Sequence, residues 1–78
     1  MRVDVFSRLE PNQKHSHLVV PHGEPLPEEI TDYAWRDEAR DIDLDESAPR
    51  WPQYGIEAPG QQLSAKGYAI TSLNKMTD

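Results

Sequence analysis

From residue 2 to residue 9 the chain alternates, with Val3, Val5, Ser7 and Leu9 pointing one way and Arg2, Asp4, Phe6 and Arg8 the other. Period-two spacing with β-branched residues predicts a strand over 2–9. Glu-Pro-Asn-Gln-Lys at 10–14 joins a proline to an asparagine and reads as a turn. His-Ser-His-Leu-Val-Val at 15–20 predicts a second strand, stopped by Pro21, which has no N–H to give a ladder. The two together read as a β-hairpin. Gly23, Pro25 and Pro27 make 22–31 irregular. Thr31 or Asp32 offers an N-cap oxygen for a short helix predicted over 32–40, with Trp35, Ala39 and Ile42 toward one face.

Asp41-Ile42-Asp43-Leu44-Asp45 alternates strictly and reads as an extended piece that buries Ile42 and Leu44. Residues 47–57 are irregular and proline-bracketed around Trp51. A second short helix is predicted over 58–66. Pro59 suits the first helical position and Gly67 the left-handed position past the end. Glu57 and Lys66 each lie at the favourable end of its dipole. Tyr68 and Ile70 oppose Ala69, Thr71 and Leu73 in a strand predicted over 67–73, and 74–78 reads as a frayed tail.

The order β-β-α-α-β over 1–78 predicts a single α+β domain: a small, largely antiparallel three-stranded sheet, hairpin plus C-terminal strand, packed with one or two short helices. Both sheet faces carry apolar side chains, and a thin helical layer covers only one. The other requires the proline-rich middle of the chain or another molecule, so a homodimer is an expected alternative.

Length sharpens that point. A chain of 78 residues buries only roughly 60% of the surface it exposes when unfolded, so its stability is marginal. It contains no cysteine, which excludes disulfides and thiolate zinc sites. The N-terminus lacks the continuous apolar core of a signal peptide, and no apolar run approaches the ~20 residues that span a bilayer. A cytoplasmic location with no membrane association is expected.

The net charge of −6 is concentrated: residues 24–46 hold ten acids against Arg36 and Arg40. Counterion release from phosphates needs clustered cations, so direct nucleic-acid binding is not expected. A basic protein partner is the natural complement, with mimicry of nucleic-acid charge a more distant alternative. The plainer reading is a solvated, solubilising surface. Asp37, Glu38, Asp41, Asp43, Asp45 and Glu46 are the candidate partner-binding acids. Trp35, Trp51 and Tyr54 are candidate anchors beside them or, more simply, core residues.

Other chemistry is sparse. His15 and His17 share a strand face, and His22 with Glu24 lies just beyond, so His15, His17 and His22 are a candidate metal-ligand set. The duller alternative is a solvated surface pair. Asp41, Asp43 and Asp45 open like a calcium loop, but Glu46 stands where the turn needs glycine and Pro52 where a bidentate glutamate belongs. Carboxylate neighbours such as Glu28 and Glu29 would need a desolvating cleft to act as acid and base. No catalytic triad, phosphate-binding glycine loop or nucleotide fingerprint is present, so neither enzymatic activity nor a cofactor is expected.

The opening Met-Arg-Val-Asp-Val-Phe-Ser-Arg, the central Trp35 followed by Asp43-Leu44-Asp45-Glu46, and the closing Lys66-Gly67-Tyr68-Ala69-Ile70-Thr71-Ser72 resemble a family of short bacterial proteins known only as a domain of unknown function. The resemblance spans nearly the whole chain, implies a free-standing bacterial protein and transfers no functional residue. The expectation is a small non-enzymatic accessory domain that binds a protein through its acidic segment. A histidine-based metal-binding or sensing protein is the alternative.

Overall fold

The computed structural model describes residues 1–10, 13–26 and 35–71. Strands β1 (Arg2–Leu9) and β2 (His15–Pro21) pair antiparallel from Val3↔Pro21 to Leu9↔His15. The Glu10 amide donates to the Lys14 carbonyl at 2.7 Å and closes the connection. Alternation sorts the side chains of these strands onto two separate cores. Val3, Val5 and Val19 lie on one face, and Phe6, Leu18 and Val20 on the other.

The helix expected over 32–40 is replaced, from residue 36 onward, by strand β3 (Arg36–Asp43), which runs antiparallel to β1. Residues 32–34 lie outside the described residues. An isolated helix this short is unstable on its own, whereas β1 is buried on both faces and has a second edge of backbone groups that need partners. Long-range pairing therefore outweighs local propensity. The register shifts between Val3 and Val5 and again between Val5 and Phe6, so Arg40 and Asp41 together oppose Asp4, and Glu38 is an extra residue between pairs. Ile42 is half-buried and Leu44 buried, as the alternation of 41–45 implies.

Two further pairings complete the sheets. Strand β6 (Ala69–Ile70) joins β2 through Leu18↔Ile70 and Val19↔Ala69, and the Thr71 amide extends the ladder to the His17 carbonyl at 2.9 Å. The expected C-terminal strand is thus shorter than 67–73, and residues 72–78 lie outside the described residues. The sheet has four strands in the order β3-β1-β2-β6, not three. Within the stretch expected to be irregular, β4 (Arg50–Trp51) and β5 (Ile56–Glu57) form a small ribbon around a 3-10 turn, Pro52–Tyr54. The described residues contain a single α-helix, α1 (Pro59–Lys66), where two short helices were expected.

Helix α1 and the ribbon cover one sheet face, setting Leu44, Tyr54, Ile56 and Leu63 over Val3, Val5, Val19 and Ala69. On the other face Trp35 and Tyr68 join Phe6, Leu18 and Val20, with Leu26 packed against them. Leu26 and Trp35 belong to the middle of the chain, so the face the helix leaves open is closed from within. Among the described residues, Met1 and Leu9 are the large apolar side chains left exposed. No helix among them is long and apolar enough to cross a membrane.

Helix α1 ends as its punctuation implies. Gly67 takes φ 85° and its amide donates to the Leu63 carbonyl at 2.9 Å. A side chain there would meet open space, so Gly67→Ala is expected to cost only the left-handed strain, about 1 kcal/mol, seen as a small fall in the urea midpoint.

Candidate functional site

Strand β3 is an outer strand of the sheet, and every residue in it except Ala39 and Ile42 is both charged and exposed. Several of its acids are already tied to cations of this chain. Arg2 Nε donates to Asp41 Oδ1 at 2.9 Å, Arg40 Nη2 donates to Asp37 Oδ1 at 2.8 Å, and the terminal ammonium lies 3.4 Å from Asp43 Oδ1. Asp45 is held by the amide and hydroxyl of Ser47 at 3.1 and 2.7 Å, which keeps its carboxyl below the usual range. Glu38 and Glu46 make no ion pair among the described residues. The six candidate acids therefore divide: Asp37, Asp41 and Asp43 are engaged within the fold, while Glu38, Asp45 and Glu46 present charge that no cation of the sheet takes up in a bridge.

Beneath this edge lies a residue that sequence reasoning missed. Asp4 is only 1% exposed and sits opposite the β3 irregularity. Its Oδ1 accepts from His22 Nδ1 and from the Asp41 amide, both at 2.8 Å, and its Oδ2 accepts from the Gly23 amide at 3.3 Å. Arg40 Nη1 adds charge at 3.6 Å. The hydrogen bond from His22 is the leading cause that lowers the Asp4 carboxyl to about 2, against the cost of burial. Asp41 is kept low chiefly by Arg2, which also grips the Asp41 carbonyl through Nη2 at 2.6 Å. Asp41 has φ 54°, a left-handed value that aspartate tolerates better than most residues. One buried carboxylate thus joins β1, the turn after β2 and the kink in β3.

The candidate metal ligands are not brought together. His15 and His17 share a face of β2, but His22 lies past the strand's other end, roughly 20 Å from His15 at the usual strand rise. His17 is buried against the Tyr54 ring at a centroid distance of 4.7 Å. Burial first, and then the nearby His15, lower its pKa, while Glu38 pulls it upward. Among the described residues no three His, Asp or Glu side chains are grouped to hold a metal ion.

The aromatic candidates belong to the cores. Trp35 is buried beneath the Arg8 guanidinium, which lies 4.6 Å from its ring centroid, and Tyr54 is buried edge-on to Trp51 at 4.8 Å. Trp51 alone of the three is half-exposed. Exposed anchors built on Trp35 or Tyr54 are therefore excluded, for the simple reason that the two cores consume nearly every large ring among the described residues. Glu28 and Glu29 lie outside the described residues. A shallow hollow beside α1, lined by Met1, Glu46, Gly60, Gln61, Leu63 and Ser64, offers one carboxylate and no histidine.

Comparison with curated proteins and with solved structures finds no match. One family model does match, over residues 1–77. That match covers both cores, the charged β3 edge and the Asp4 cluster, and the chain therefore belongs to the Family of unknown function (DUF6139).

Proposed function

We propose that this protein is a non-enzymatic accessory domain whose charged β3 edge and following turn recognise a protein with a basic surface. The observation that supports the reading is the division of the acids. Three of them are consumed by cations of the chain itself, and Glu38, Asp45 and Glu46 are left to act outward. Unpaired surface charge adds little to stability, but it steers association and selects the partner. With Trp35 and Tyr54 turned inward, binding rests on charge and on the half-exposed Trp51 rather than on a ring of aromatic anchors.

The division also decides which substitutions make a fair test. Neutralising Asp41 or Asp43 would remove an ion pair of this chain together with the surface charge, because Asp41 is bound by Arg2 and Asp43 lies against the chain terminus. The combined variant Glu38→Gln, Asp45→Asn and Glu46→Gln leaves those bridges intact. It is expected to keep the native thermal midpoint within about 4 °C, since surface changes of this kind stay near ±0.5 kcal/mol. Affinity capture from a lysate of the source organism should yield a basic protein with the native chain and lose it with the variant. The retained protein should also dissociate as salt is raised, because exposed charges are screened within about 10 Å at 0.1 M. Equal capture by both forms would remove the acidic edge from the function.

A further inference from the structure

The turn that leaves β2 is fastened to the sheet at few points. Its own closure is the Glu24 amide donating to the Pro21 carbonyl at 3.1 Å. Its attachments to the sheet are the His22 amide on the Arg2 carbonyl at 3.0 Å, and the two bonds that His22 Nδ1 and the Gly23 amide donate to Asp4. Two residues further on, Leu26 packs onto the Phe6 face. The His22 ring, half-exposed, stands between two carboxylates, with Nδ1 2.8 Å from Asp4 Oδ1 and Nε2 4.0 Å from Asp41 Oδ1.

We infer that His22, set between Asp4 and Asp41, is a proton-operated latch that closes the Pro21–Glu24 turn onto the sheet and releases it when the imidazole loses its proton. With both ring nitrogens protonated, His22 donates to Asp4 and faces Asp41 with a second N–H. With Nε2 deprotonated, a lone pair faces the Asp41 carboxylate, and an attraction becomes a repulsion across the same gap.

The surrounding charges support that direction. From β1 the ring faces Asp4 and Arg2, and from β3 it faces Asp41, with Arg40 reaching Asp4 from the far side and itself held by Asp37. The hydrogen bond to Asp4 is the leading cause that raises the His22 pKa, and Arg2 opposes it. A raised value in the closed form means the latch is fully engaged below the free imidazole value of ~6.5 and lost as pH rises through the closed-form value. Opening frees residues 22–24 and loosens the hold of Leu26 on the Phe6 face.

Hydrogen exchange of the full chain, followed by NMR between pH 5.5 and 8 and expressed as protection factors, tests this directly. As the His22 ring proton shift reports deprotonation, the protection of the His22 and Gly23 amides should fall roughly three- to tenfold, the difference between a charge-assisted and a neutral hydrogen bond. The Val19 amide, in the sheet centre, should hold level. His22→Gln keeps a donor and cannot titrate, so its Gly23 protection should be flat across the range. Level protection in the native chain overturns the latch, as does the same fall in His22→Gln or a parallel fall at Val19. Should His22→Gln fail to fold, the native carboxyl carbon shifts of Asp4 and Asp41 decide: both must move with the His22 titration, and no coupled movement overturns it.

Discussion

Asp4→Ala is expected to destabilise the fold by about 3 kcal/mol, read as a lower urea midpoint with little change in slope. Alanine fills the buried position but abandons the Asp41 and Gly23 amides that donate to the carboxylate. A donor left unsatisfied costs about 1–3 kcal/mol when fully buried; these two amides are part-buried, and the left-handed Asp41 would also lose the partner that holds it there. Asp4→Asn keeps one acceptor and loses the charge, so its cost should be smaller and its pH profile different. The Asp4 carboxyl is lowered from 3.8 to about 2. A depressed value contributes stability above the unfolded pKa and loses it as pH falls through the folded one. The native protein should therefore weaken between about pH 4 and about pH 2, and Asp4→Asn should lack that part of the decline. Parallel acid profiles for the two would show that the carboxylate is not the group responsible.

Gly60→Ala is the second large effect, and it opposes the usual rule. In an exposed helix interior the change gains about 1 kcal/mol. Here a Cβ on Gly60 would overlap the main-chain carbonyl oxygen of Glu46. That oxygen is backbone and cannot rotate aside, so either α1 or the turn after β3 must move. Overpacking of this kind costs about 1–3 kcal/mol, and more when backbone shifts. The net expectation is a loss of about 2 kcal/mol in urea denaturation. A stabilised Gly60→Ala would show that the approach of helix and turn is looser than described.

How legible this molecule is depends on how far apart the deciding residues lie. β1 and β2 are written locally, because alternation and a proline-marked turn suffice. Helix α1 is written in its ends, Pro59 and Gly67. β3 is not local at all. Its half-buried residues, Ala39 and Ile42, stand three apart, a helical spacing, and the residues around them are charged. What makes it a strand is the second edge of β1, far earlier in the chain, and its two register shifts then erase the period-two signal. Asp4 was hidden for a related reason. In sequence it is an ordinary outward acid of a strand. Only the register Asp4↔Val20 shows that a His-Gly turn arrives beside it. An acid sharing the face of Phe6, with such a turn two residues past its partner, is the signal that could have found it. The aromatics were legible in type but not in place, since nothing local tells a buried Trp35 from an exposed one.

The kinked backbone of β3 has a consequence for assembly. A further strand laid along this open side would need an unbroken row of outward N–H and C=O groups, and it would not find one. The Asp41 amide turns inward to Asp4, and Glu38 interrupts the row a second time. The fibre-like stacking that threatens any long free strand is therefore blocked on this side by the same carboxylate that pins the kink. Among the described residues no strand lies along this side of β3, and the partner proposed for it would read the tips of its side chains.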